Sequence, residues 1–403
     1  MTFEVAALRD AAKPVLVCFS HLRWRFVYQR PQHLMTRAAS QWTVYFVEEP
    51  VFEDGLSEPR VDFSEGAPGV TVTVPVLPGG YTQEQTDSAQ EDVVDLIMDR
   101  HRGATIAFWY YTPRAVRFTL RREPDLCIYD CMDELSAFKG AAPDLADLEA
   151  QLFALSDLVF TGGRALFEAK SRRHPNVHLF PSSVDKKHFA KARSRRCADP
   201  ADQADIAHPR VGFFGVVDER FDSGLTAALA DRRPDLQFVV LGPVVKIDPS
   251  TLPQRNNLHW LGCKTYEELP AYLAYWDAGF MPFALNAATR FISPTKTPEF
   301  LAAGLPVVST PVRDVVREWG DNGQVDIART PEEFSERLSH VLSRPRAQWL
   351  ARVDRSLAKL SWDDTWRRMS ILIYQELNWR LRWQELSHHL DEEASLGAEA
   401  DNV

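Results

Sequence analysis

Lys296 and Glu299 stand three residues apart in the string KTPEFLAAGLPVVST, which spans 296–310. The string reads as a loop, a short helix, a turn at Gly304 and an apolar strand. Residues three apart on a helix share a face, so this ammonium and carboxylate can address one ligand together. A helix N-terminus flanked by Ser293, Thr295 and Lys296 suits phosphate, because unsatisfied backbone amides and the helix dipole both favour negative charge. A carboxylate one turn further can accept hydrogen bonds from two neighbouring hydroxyls, as on a ribose. A diphosphate beside a ribose is half of a nucleotide sugar. An exposed ion pair followed by an ordinary glycine helix stop would account for the same residues.

Two more loops offer similar chemistry. Gly215, after the apolar run 211–214, lets the backbone pass close to a ligand. Arg220 in the same loop could fork onto a diphosphate, or simply pair with Asp218 or Glu219. Lys246 ends the loop that follows the run 237–241 and could serve the base or phosphate side of a pocket, or be an ordinary surface lysine.

The first half of the chain supplies aromatics and arginines. Arg23, Trp24, Tyr28, Gln29, Arg30 and His33 follow the apolar run 15–19, and Tyr110 ends the run at 105–109. Rings can stack on a sugar, and arginines can grip its hydroxyls or an anionic group. His33 stands at a helix start, where a structural role is equally open. Asp130 and Asp133 follow the run 126–129, which places carboxylates at the end of a strand where one could act as a base. Asp133 could instead cap the turn after it.

These residues need a scaffold of loops at strand ends, and the chain has the pattern for one. Short apolar runs alternate with helical stripes, the signature of α/β units with parallel sheets. Strands are expected at 15–19, 43–47, 70–74, 105–109, 126–129, 158–161 and 177–180, then at 211–214, 237–241, 258–261, 278–281, 306–309 and 325–327. Helices are expected at 32–40, 85–100, 145–155 and 163–172, and later at 224–231, 266–274, 297–303, 331–343 and 346–358. Between the two series, the stretch 185–209 is charged and alanine-rich without an apolar run, so it reads as a linker and a hinge. Ligands of such folds sit at the carboxyl ends of the strands, in the crevice between domains.

Several strings carry a family resemblance. KTPEFLAAGLPVVST resembles the donor-site segment of GT-B glycosyltransferases, in which a helix Glu holds the nucleotide ribose just before a Gly-x-Pro-Val-Val strand; Glu299 falls on that Glu. Relatives commonly place a basic residue where Arg220 stands. FVYQRPQHL, at 26–34, is similar to a subgroup of bacterial glycosyltransferases that make cell-envelope polysaccharides of the teichuronic-acid or exopolysaccharide kind. SWDDTWRRM, at 361–369, resembles the C-terminal helix that crosses back onto the N-terminal domain. There are departures. Many retaining members carry another Glu where this chain has Phe291, and many members have paired glycines in the first loop, where this chain has none.

The resemblance implies an α/β GT-B fold, two Rossmann-like domains with parallel sheets facing a cleft. The expected division is an acceptor domain at 1–185, a linker at 186–208, a donor domain at 209–361, a crossing helix at 362–385 and a disordered tail at 386–403. It implies transfer of a sugar from a nucleotide diphosphate sugar, of UDP or GDP type, to a hydroxyl of a glycan or lipid-linked acceptor. Gly215, Arg220, Lys246, Ser293, Thr295, Lys296 and Glu299 would hold the donor. Neither a metal nor another cofactor is expected, since cations already face the diphosphate. A GT-B nucleotide-sugar epimerase and a non-catalytic sugar-nucleotide-binding scaffold are the alternatives, the latter prompted by Phe291.

Composition narrows the partners. A formal net charge of −10 argues against nucleic acid. No apolar run approaches the ~18 residues needed to span a bilayer. The first ten residues lack a basic stretch followed by an apolar core, and five cysteines without metal-site spacing read as reduced thiols, so a cytoplasmic protein is expected. Arginines at 114, 117, 121 and 122, and the cluster 172–174, are ordinary surface or could touch anionic lipid headgroups, which would give peripheral membrane contact.

Overall fold

The computed structural model describes residues 13–194 and 197–400, with the backbone alone described from 383 onward. The first domain is built on β1 (Val15–Ser20), β2 (Thr43–Glu48), β3 (Val51–Glu53), β4 (Arg60–Ala67), β5 (Val70–Pro78), β6 (Ile106–Tyr110), β7 (Leu126–Cys131), β8 (Leu158–Thr161) and β9 (Val177–Leu179). Their order is β3-β5-β2-β1-β6-β7-β8-β9, with β4 added antiparallel on β5 and the other pairs parallel. Every residue of β1 is buried. A parallel strand covered on both faces reads as a continuous apolar run, which is why the central strands were legible in the sequence. The hairpin partner β4 was not foreseen. It is largely exposed and carries charges, so no apolar run marks it.

The second domain holds β10 (Arg210–Phe214), β11 (Gln237–Leu241), β12 (Leu258–Trp260), β13 (Ala278–Met281), β14 (Val307–Ser309) and β15 (Asp326–Ile327). They form one parallel sheet in the order β12-β11-β10-β13-β14-β15. This domain has one contiguous core, from Val184 through Leu357. The first domain has two, one on each face of its sheet.

The last helix, Trp362–Ala400, leaves the second domain and covers one face of the first. Trp362, Trp366, Met369, Ile373 and Leu377 lie at spacings of three and four and join the core of Leu16, Trp42, Trp109 and Phe160. Trp362 stacks on His33 with centroids 4.6 Å apart, and Tyr374 stacks on Trp42 at 5.8 Å.

Two expectations about segments are corrected. The helix runs on through Ala400, where a disordered tail was expected from 386; residues 401–403 lie outside the described residues. Its Glu, Ala and Leu content favours helix. The stretch 186–208 is not a free linker either. It starts with the short helix Lys186–Phe189, and Phe189 is fully buried in the second-domain core with Val184 and Ala192. Gln203 and Asp199 tie down the rest: Gln203 donates to the Tyr272 carbonyl at 3.2 Å, and Asp199 accepts from Arg210 at 2.7 Å. One buried aromatic and one buried amide gave no periodic signal in a charged stretch.

Candidate active site

A cavity of about 680 Å³ lies between the two domains. The first domain lines it with the loop after β1, including Trp24, Tyr28 and Gln29. The second lines it with the loops after β10 and β11, the segment 263–269, and the start of the helix Lys296–Ala302. The sheets deliver these loops at their carboxyl ends, as the crevice rule requires.

Gly215 is the pivot of the second-domain wall of this cavity. Its φ is +126°, and a Cβ there would lie 1.9 Å from Lys296 Cε. Only glycine lets the Lys296 stem cross the loop at this point. Arg220 is held by Asp218 through Nη2–Oδ2 at 2.7 Å and Nε–Oδ1 at 3.0 Å, so the predicted alternative partner is real. The pair does not remove Arg220 from the site. Asp218 is buried while the guanidinium still lines the cavity, so the pair aims it.

Lys296 and Glu299 lie on this wall together. Burial pushes the Glu299 carboxyl up to about 8, and the Lys296 ammonium pulls it the other way. Burial and the neighbouring Arg220 cation push Lys296 below its ordinary value. Thr295 also lines the cavity, but its side chain makes no capping bond.

Beyond this cavity, the loop 132–142 of the first domain reaches the second. Phe138 lies under both donor-side cations, 5.2 Å from Arg220 Cζ and 5.6 Å from Lys246 Nζ. Glu219 accepts from the Lys139 amide at 2.8 Å. Lys246 has φ 61°, the one non-glycine residue with positive φ among the described residues. Such a conformation is retained where the surroundings enforce it. Asp133 is half-buried in the field of Arg220, Lys296 and Lys246; burial raises its carboxyl and Arg220 lowers it.

His21, which the sequence reading passed over, sits at the same place. Its Nδ1 is buried without a hydrogen-bond partner. Burial, then Lys246, push the imidazole down to about 4, so it is neutral at neutral pH. A lone His in a loop of other aromatics gave no signal. Tyr266 was also passed over; it stacks on His188 at 4.2 Å and meets Tyr28 across the cleft at 4.7 Å.

Several sequence candidates have other work. Asp130 is completely buried, and both its oxygens take bonds from Arg30, at 2.8, 2.9 and 3.2 Å. Arg30 also donates to the Phe180 carbonyl at 2.7 Å, so this pair pins the helix Arg30–Ala38 to the sheet and neither residue meets a ligand. Tyr110 is buried and donates to Thr119 at 3.0 Å. Strand alternation turns it into the core, away from the cleft. His33 is buried against Trp362, and burial drives its imidazole down to about 3. Arg23 pairs with Glu48 at 3.0 Å and lines no cleft surface. Ser293 packs against Gly163 of the first domain, where a Cβ would come within 2.7 Å of it, so it is a domain contact. The surface arginines are largely neutralised: Arg114 pairs with Glu49, Arg122 with Asp95, and Arg173 with Glu149.

Among the described residues, no group of three or more His, Cys, Asp or Glu side chains is placed to hold a metal ion. Nor is any helix among them long and apolar enough to cross a membrane.

Comparison with known proteins places this arrangement. Residues 208–344 match the family described as Glycosyl transferases group 1. TuaH of Bacillus subtilis (strain 168), whose name assigns it to teichuronic acid biosynthesis as a glycosyltransferase, is 25% identical over 228 residues, 52% of this chain and 56% of that protein. The match therefore spans little more than half of that relative's length. An alpha,alpha-trehalose-phosphate synthase (UDP-forming) from Burkholderia xenovorans, solved with glucose-6-phosphate, superposes with a TM-score of 0.66 at 12% identity, covering 90% of this chain and 100% of that one. HepE of Anabaena, solved with UDP and glucose, superposes at 0.61 and 12% identity, covering 89% and 98%. Two parallel-sheet domains around one cleft give the chain the GT-B fold of these solved structures, and its second domain, over residues 208–344, matches the family of group 1 glycosyl transferases.

Proposed function

We propose that the protein transfers a sugar from a nucleotide diphosphate sugar to a hydroxyl of a glycan or glycolipid acceptor, in polysaccharide or cell-envelope biosynthesis. The observation that carries this is the donor wall: Gly215, Arg220, Lys296 and Glu299 brought to one face of the interdomain cleft from two separate loops. Arg220 and Lys296 would neutralise the leaving diphosphate without a metal, and Glu299 would take the ribose hydroxyls. UDP is the favoured diphosphate, since HepE and the trehalose-phosphate synthase are described with UDP or as UDP-forming. Asp133 and His21 are the two groups at the domain junction that could accept the acceptor proton. A cytoplasmic protein with peripheral membrane contact fits a lipid-linked acceptor. The epimerase and scaffold alternatives gain no support from the comparisons.

The test is direct. Arg220→Ala and Lys296→Ala should each weaken UDP by ~1.5–3 kcal/mol, the worth of a charged hydrogen bond, with little effect on uridine. Glu299→Ala should weaken both, because the ribose is common to them. Titration calorimetry reads all three, and equal losses for UDP and uridine in the Arg220 and Lys296 variants would refute the phosphate assignment.

A further inference from the structure

A second cavity, of about 290 Å³, opens in the first domain at the carboxyl ends of β1, β2 and β6. It shares no lining residue with the interdomain cleft, and none of the sequence-predicted acceptor residues lines it. Its volume is near the lower end of ligand pockets, ~300–1,000 Å³, which suits one sugar ring and little more.

The lining has two kinds of surface. One is apolar and aromatic: Phe19 and Phe118 meet edge to face at 5.7 Å, and Tyr81 and the half-exposed Phe52 add further rings. The other is rich in neutral donors and acceptors: Ser20, Gln83, Thr86, Gln90 and Thr112. Rings against C–H faces with hydroxyls and amides at the edges suit a polyhydroxylated ring.

The charges in the lining exclude anions. Three carboxylates, Glu48, Glu49 and Asp87, outnumber two guanidiniums, Arg114 and Arg117. Both guanidiniums are already engaged, Arg114 with Glu49 at 3.3 Å, and Arg117 with Asp87 at 3.8 Å and with Asp144. A phosphate would meet excess like charge and would have to break an ion pair to gain a cation. Ser20 of this lining is followed by His21, which feels Lys246, Arg114 of this cavity and Arg220 of the proposed donor wall. The cavity therefore stands next to the place where a donor sugar would react.

We propose that this cavity binds the acceptor through an uncharged, polyhydroxylated sugar ring and discriminates against sugar phosphates and sugar acids. The proposal rests on the transferase reading of the cleft. Its test uses the full chain and probes the two cavities separately. Methyl glycosides of hexoses and N-acetylhexosamines, the matching hexose phosphates and hexuronates, and UDP are each titrated by ligand-observed NMR. At least one neutral glycoside should bind, with its phosphate weaker by about tenfold, ~1.4 kcal/mol. Tyr81→Ala and Gln83→Ala sit at exposed or half-exposed positions, so both should fold. Each should weaken the neutral glycoside while leaving UDP affinity unchanged. Phosphates binding as tightly as neutral glycosides, sugar affinity unchanged in both variants, or UDP binding with no neutral glycoside bound would each overturn the proposal. Loss of UDP binding in the wild type with sugar binding intact would instead sink the transferase reading and keep the cavity as a neutral-sugar site.

Discussion

At the scale of the residue, the proposed donor wall depends on close approach. Gly215→Ala would set a Cβ 1.9 Å from Lys296 Cε and hold an L-residue at φ +126°. The backbone strain alone is of order 1–3 kcal/mol, and the lysine must move. UDP affinity should fall by at least as much as in Lys296→Ala while the circular dichroism stays native; unchanged UDP affinity would show that Lys296 does not need this crossing. The buried carboxyl beside it sets a pH dependence. Glu299 is raised from 4.5 to about 8 by burial, so the folded state holds its proton more tightly than the unfolded chain does. That contribution is fully present below about pH 4.5 and is lost as pH rises to about 8, the reverse of a salt-bridged glutamate. Glu299→Gln should flatten this loss in denaturant unfolding measured between pH 5 and 9. Legibility differed sharply among residues. Glu299, Lys296 and Arg220 line one cleft as their helix spacing and loop position led one to expect. Asp130 and Tyr110 lie in the core because the sequence places a residue at the end of a strand without saying which side it faces, and Arg30, at a helix start, turns to the buried Asp130 from a hundred positions away.

At the scale of the element, the helix starting at Trp362 is the strap between the domains. Trp362 is nearly fully buried, stacked on His33, and Trp366, Met369, Ile373 and Leu377 follow it into the first-domain core. Trp362→Ala should cost ~3–5 kcal/mol, as for other buried large aromatics. Removal of everything from Trp362 onward should leave an insoluble or unfolded chain, whereas removal of 391–403 should leave a folded one. Thermal melts of the three variants decide it, and a soluble, cooperative protein lacking the whole helix would show that the first domain does not need this cover. The strap was readable from its apolar stripe. The anchoring of 186–208 was not, because it depends on Phe189 and Gln203 meeting a core assembled from distant strands.

At the scale of the whole molecule, the domains touch through specific groups beside the cleft. Asp314 of the second domain accepts from the Ala165 amide at 3.1 and 3.2 Å, capping a first-domain helix, and Arg313 and Arg317 pair with Glu168. Phe291 packs on the first-domain core from the second domain. With 186–208 anchored, any closing motion must pivot on the crossings near 181–185 and 359–361. A reactive donor calls for water exclusion, so UDP should compact the molecule. Asp314→Ala leaves the Ala165 amide unsatisfied, ~1–3 kcal/mol against this interdomain contact. Small-angle scattering should show a larger radius of gyration for this variant without UDP and a larger decrease on adding it. Identical curves for variant and wild type would remove Asp314 as a latch.

The sequence by itself determined the two parallel sheets, the strap helix and the loop, helix and strand around Lys296 and Glu299. Each rests on local pattern: apolar runs, helical spacing, a glycine turn followed by Pro306. Tertiary structure alone decided the rest. It set which face of β6 and β7 each side chain takes. It left the His21 Nδ1 without a partner among cations distant in sequence, and it formed a small cavity where β1, β2 and β6 end together. Those features arise from contacts between residues tens or hundreds of positions apart, and no local spacing encodes which of them will meet.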